Sequence, residues 1–112
     1  MVKIYVRDHI STELGRDEIA ENIGYHPDYI SRVFHEYTGE TLTGYIQSEK
    51  IKRAIFLFTE TSMSVGQVAE RLGYTNFSYF SQLFRKITGY TVRDYKKRYL
   101  AIEGERNRLM LL

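Results

Sequence analysis

The sequence contains no cysteine, no tryptophan and one proline, Pro27. Without cysteine there is no disulfide and no thiolate metal site, and a reducing compartment is compatible with the chain. No run approaches the ~18 apolar residues that a membrane span requires. The N-terminus, MVKIYVRDHI, carries charges inside its apolar part and does not read as a signal peptide. The histidines His9, His26 and His35 lack metal-ligand spacing, and there is no glycine-rich phosphate loop. Acid pairs such as Asp17 and Glu18 fall early in a helical stretch, where they favour the helix dipole. The expected class is therefore not an enzyme, with no metal, no cofactor, no membrane and a cytoplasmic location.

A length of 112 residues fits one domain or two very small ones. An apolar content of 43%, with ten tyrosines and six phenylalanines, supplies a real core. Apolar residues recur at intervals of three and four rather than two, which predicts helix throughout. The fold class is all-α: two helix-turn-helix subdomains on a long connector helix, seven helices in all. The expected helices are 2–11, 16–23, 27–38, 42–59, 65–72, 77–88 and 92–100. Pro27 suits a first helical position. Thr41, Ser64, Asn76 and Thr91 suit N-caps, and Ser64 with Gln67 forms a capping-box pattern. Gly24, Gly39, Gly73 and Gly89 stand where helices end. The division is 1–41, first subdomain; 42–59, connector; 60–100, second subdomain; and 101–112, tail. The tail either extends the last helix or is disordered. Its apolar end RLMLL reads as an oligomer contact or, better, as a fluctuating segment.

The net charge is +2, but it is unevenly placed. Residues 8–49 carry nine acids against two bases, and residues 50–99 carry ten bases against three acids. The halves are thus −7 and +7, which fits either two solvated surfaces or a polyanion met by one of them. The chain also repeats itself. Residues 18–25 match 67–74, and 29–45 match 79–95, with 11 identities over 25 positions. One extra residue lies in the second copy, between Tyr74 and Tyr79. Two copies point to a paired module rather than a solenoid.

Each copy reads as a short helix, a tight turn and a longer helix. Ala20, Gly24 and Ile30, then Ala69, Gly73 and Phe80, supply what a helix-turn-helix needs. A small residue allows close approach, a glycine takes the turn, and an apolar wedge fills the angle. Ile30, Val33, Phe34 and Tyr37 form one stripe, and Phe80, Leu83, Phe84 and Ile87 another; both are expected core. The opposite faces carry Asp28, Ser31, Arg32 and His35, and Ser78, Ser81, Gln82 and Arg85. On an isolated helix these would be solvent residues. In a helix-turn-helix that face enters the major groove, where Arg and Gln read guanine and adenine edges and Asp accepts from cytosine. The base-reading set is therefore Asp28, Ser31, Arg32, His35, Ser78, Ser81 and Gln82. The phosphate set is Lys50, Arg53, Asn76, Arg85, Lys86, Lys96 and Lys97. The connector bases, Lys52 included, meet phosphates or merely keep the helix solvated.

Two such units with A-x-x-x-G-Y and F-x-x-x-x-G ends resemble the AraC/XylS-type transcription-factor DNA-binding domain. The resemblance spans residues 2–99 and is most specific over AERLGYTNFSYFSQLFRKITGYTVRDYKKRY. It implies binding to double-stranded DNA through both longer helices in adjacent major grooves. It maps base reading to Asp28, Ser31, Arg32, Ser78, Ser81 and Gln82. Val92 stands where the pattern usually has proline, and Lys50 where arginine is common. The family commonly joins this domain to a sensing or receiver domain, none of which lies in these residues. An output module is the expectation. The other reading is a helical interaction module whose acidic first half docks a companion domain or RNA polymerase.

Overall fold

Letters repeated in the sequence do the same local work twice. Thr38 Oγ1 donates to Phe34 O (2.6 Å) and accepts from Glu40 N–H (3.1 Å); Thr88 does likewise with Phe84 O (2.8 Å) and Tyr90 N–H (3.2 Å). Thr41 caps Gly44 N–H, and Thr91 caps Asp94 N–H. Gly24 and Gly73 both take left-handed backbone, φ +90° and +85°, at the turn of their unit. The amides of Tyr25 and Tyr74 then reach back to Ala20 O and Ala69 O, satisfying carbonyls that the helix end leaves open. Pro27 opens its helix, and Ser64 and Gln67 complete their capping box.

These signals lay out seven helices in the computed structural model, which describes residues 1–11 and 14–110. They are α1 (Val2–Asp8), α2 (Arg16–Ile23), α3 (Pro27–Thr38), α4 (Leu42–Glu60), α5 (Val65–Arg71), α6 (Phe77–Thr88) and α7 (Val92–Met110). No strand occurs among the described residues. The molecule is elongated, 56 × 30 × 22 Å. The described residues form two cores. The first joins Val6, Ile19, Ala20, Ile30 and Phe34 to Leu42 and Ile46 of α4. The second joins Val68, Ala69, Leu72, Phe80, Leu83, Phe84 and Val92 to Ile51, Ala54, Leu57 and Phe58 of α4. The connector is thus part of both cores, one half in each. The wedges Ile30 and Phe80 are buried beside Ala20 and Ala69, as the repeat requires. Burying each such side chain stabilises by roughly 1.5–3 kcal/mol.

Four local expectations change. First, α1 ends at Asp8, not at residue 11. His9 stacks on Tyr5 (centroids 4.0 Å apart), and its Nδ1 lies 2.9 Å from Tyr5 O, so the ring caps the last turn. Second, α7 runs past residue 100 to Met110, so of the two readings of the tail the helical extension holds as far as Met110. Glu103–Arg106 and Glu105–Arg108 pairs line its extension, and Tyr99 OH donates to Glu60 at the end of α4. Gly104 inside it costs about 1 kcal/mol of propensity, which those pairs, at about 0.2–0.5 kcal/mol each, offset in part. Leu111 and Leu112 lie outside the described residues. Third, Tyr37 and Ile87 are not core: they are 85% and 40% exposed. Each sits in the last turn of its helix, where the apolar stripe outruns the surface available to cover it. Fourth, Val33 is only half-buried, whereas its counterpart Leu83 is buried.

Candidate nucleic-acid interface

In α3, burial of Ile30 and Phe34 turns Asp28, Ser31, Arg32 and His35 outward. All but the half-buried Ser31 are exposed. His26 precedes the helix, and its Nδ1 accepts from Asp28 N–H (3.2 Å), so a histidine serves as N-cap. Arg16 Nη1, at the start of α2, lies 3.0 Å from the Asp28 carboxylate. That pair is solvent-exposed and contributes little stability. It does partly occupy the acceptor expected to read cytosine. The Arg32 guanidinium lies 5.5 Å from the Tyr29 ring centre.

The same arrangement recurs in α6. Phe80, Leu83 and Phe84 point inward, while Ser78, Gln82, Arg85 and Lys86 are exposed and Ser81 is half-buried. Asn76 Oδ1 accepts from Tyr79 N–H (3.0 Å) and starts the helix. Arg85 and Lys86 lie in its last turn, where cations complement the helix dipole. Lys97 is exposed; Lys96 is half-buried, with its ammonium 5.0 Å from the Phe58 ring centre. Arg53 is exposed beside the Phe56 ring (5.1 Å).

Comparisons with known proteins bear on the fold and the family. A family model described as helix-turn-helix domain matches residues 19–98. The regulatory protein SoxS of Escherichia coli is 31% identical over 94 residues, covering 84% of this chain and 88% of that protein. The HTH-type transcriptional regulator YtdP of Bacillus subtilis is 33% identical over 82% of this chain, but over only 12% of its own length. Among solved structures, the C-terminal domain of AraT, a response regulator from Geobacillus stearothermophilus, superposes with a TM-score of 0.83. It is 26% identical, covering 87% of this chain and 81% of that one.

The chain belongs to the AraC-type helix-turn-helix family.

Its all-α architecture is that of the AraC-type DNA-binding domain of transcriptional regulators. It spans 12% to 38% of the length of several regulators that it matches. No helix among the described residues is long and apolar enough to cross a membrane.

Within this AraC-type domain one expected phosphate contact does not fit. Lys50 is 4% exposed. Its ammonium donates to Leu72 O at the end of α5 and lies 5.3 Å from the Tyr74 ring centre. It points into the protein, because a buried ammonium must be hydrogen-bonded and this carbonyl offers the bond. Two further residues escape a reading of the sequence alone. Arg16 stands there only as a base in an acidic block, yet it meets Asp28 across the turn. Gln47 carries no sequence signal, yet its Nε2 donates to Tyr79 OH at 3.0 Å. Neither contact is local, since partners 12 and 32 residues away are brought together by folding.

Tyr74 completes this inner region. Burial, with a smaller repulsion from Tyr79, pushes its phenol up to about 12. Its OH is buried without a hydrogen-bond partner.

Proposed function

We propose that the domain recognises specific double-stranded DNA sites by laying α3 and α6 in adjacent major grooves on one side of the duplex. The observation that carries this reading is the matched pair of polar faces. Asp28, Ser31, Arg32 and His35 are placed on α3 as Ser78, Ser81, Gln82 and Arg85 are on α6, and each set backs onto a wedge-anchored core. A 19-residue α4 is about 28 Å long, close to the ~34 Å that separates successive major-groove faces. Residues 1–41 and 60–100 act as two readers, with α4 shared between them. Arg32 and Gln82 supply the bidentate base contacts. Arg53, Arg85, Lys86, Lys96, Lys97 and the amide of Asn76 hold phosphates and carry no sequence information.

Selection of bound sites from a random duplex pool, followed by titration across salt, tests this. A selected site with two separated half-sites is the expected result. Binding to no duplex would sink the reading.

A second role is favoured by one feature of the first unit. Tyr25, Tyr29 and Tyr37 are 54%, 44% and 85% exposed, around a groove floored by Ile23, Ile30 and Phe34. An apolar groove on a net-acidic half suits a protein partner, either a companion domain or RNA polymerase. Replacing Glu18 and Glu21 then alters transcription and leaves DNA affinity intact. A parallel loss of DNA affinity would argue against this role.

A further inference from the structure

The two cores meet along α4, and Lys50 stands at the crossing. Ile46, four residues before it, belongs to the first core, and Ile51, the next residue, to the second. Lys50 donates to Leu72 O, and its ammonium sits over Tyr74; both belong to the turn of the second unit. Gln47 lies three residues earlier on the same helix face. It donates to Tyr79 OH in the first turn of α6. Across the cleft between the units, Leu14, Gly15 and Arg16 face that same turn. From α4, one cation and one amide thus hold the segment that aims α6.

Among the described residues, the first unit shows no counterpart of this grip. Its matching residues are Ile23, Tyr25 and Tyr29. Ile23 is half-buried, and the two tyrosines stack on each other in the open, 5.4 Å apart. An apolar contact between α4 and α6 would tolerate a small rotation. A buried ammonium on this carbonyl does not, because rotation breaks a desolvated hydrogen bond that no water replaces.

We infer that Lys50, with Gln47, is a positioning pair. It fixes the angle of α6 relative to α3 and thereby sets the half-site spacing that the domain accepts. Lys50 acts through the protein and touches no DNA. The inference rests on the two-groove reading for its consequence, but not for its structural part.

Two measurements separate these. The chain has no cysteine, so Glu36→Cys with Ile87→Cys gives two labelled positions, on α3 and α6, outside the proposed reading sets. Electron-spin distance measurements on the free protein then report the angle. The expected result is one narrow distance peak, broadened by Lys50→Met and kept by Lys50→Arg. An unbroadened peak in a folded Lys50→Met protein overturns the positioning role. If Lys50→Met fails to fold, Gln47→Leu, which keeps the lysine contact, broadens the peak by a smaller amount; an unchanged peak there also overturns it.

The second measurement is affinity for the selected site, with one base pair added or removed between its halves. The native spacing is preferred, and Lys50→Met lowers that preference by about tenfold, ~1.4 kcal/mol. The salt dependence is unchanged, since every phosphate keeps its cation. A lower salt slope at unaltered spacing preference returns Lys50 to the phosphate set and overturns the inference. If the wild-type domain binds no duplex, the two-groove reading fails and the distance experiment alone judges the pair.

Discussion

The two helix-turn-helix units share their plan but not their cover. At three paired positions the second is the better buried. Leu72 is fully buried where Ile23 is half-buried, Leu83 is buried where Val33 is half-buried, and Ile87 is 40% exposed against 85% for Tyr37. The cause is the preceding helix. The second unit leans on the later half of α4, with Ile51, Ala54, Leu57 and Phe58; the corresponding support of the first is α1, with seven residues and Val6 as its buried side chain. The charges diverge as well, the first half acidic and the second basic. One duplicated segment has thus become a firmly packed, cationic unit and a looser, anionic one. A division of labour fits this, with the second anchoring on phosphates and the first refining the choice of site.

The largest expected effect tests the packing half of that contrast. Phe34 and Phe84 are counterparts, so truncating each to alanine compares the cores directly. Both should cost about 3–5 kcal/mol, with Phe84→Ala at the upper end and Phe34→Ala at the lower. Urea unfolding followed by circular dichroism gives the two values, and equal losses would erase the distinction. Native-state hydrogen exchange sharpens it: amides of α3 should open before those of α6.

The next effect, about 1–3 kcal/mol, tests the reading half. Arg32→Ala or Gln82→Ala should lower affinity for the selected site and leave affinity for other sequences unchanged. Arg85→Ala, or neutralising Lys96 with Lys97, should weaken binding to every duplex and reduce the salt slope by about one for each phosphate left without its cation. Titrations on selected and random duplexes distinguish the patterns. The same loss on both duplexes for all variants would end the division of labour.

A third test uses pH. The Tyr74 phenol is pushed up to about 12, against about 10 in an unfolded chain. Between those values the folded protein holds the proton that the unfolded chain has released. Stability should therefore be intact below about pH 10 and fall as pH rises towards about 12. Tyr74→Phe should lessen that alkaline loss, and near neutrality it should be neutral or slightly stabilising, since it removes a buried hydroxyl with no partner. Thermal melts of both proteins from about pH 8 to about pH 11.5 show the difference.

The smallest effect concerns Arg16. Its pair with Asp28 is exposed, so Arg16→Ala should change stability by less than about 1 kcal/mol. It should weaken DNA binding more than it weakens the fold, because the Asp28 carboxylate then approaches the polyanion without its cation. Affinity and melting temperature measured on the same protein decide this.

Much of the architecture was legible because its signals are local. Pro27, Ser64 with Gln67, and the four end glycines each act within one turn of their own position. The outward polar faces followed from the 3.6-residue period. Where the sequence misled, the missing information was what lies across from a residue. Tyr37 and Ile87 carry the right period but extend past their cover. The RLMLL end gave no stop signal, and side-chain pairs continued α7 to Met110.

The amino-acid sequence by itself determined the helices, most of their ends, the duplication and the outward polar faces. All of these depend on interactions within a few residues, which a linear pattern displays. Tertiary structure alone decided the burial of Lys50 against Leu72 O, the tie between Arg16 and Asp28, and the Gln47 bond to Tyr79. A lysine's letter promises a surface charge. Whether that charge meets solvent or a buried carbonyl depends on packing between residues 22 apart, and folding alone brings those together.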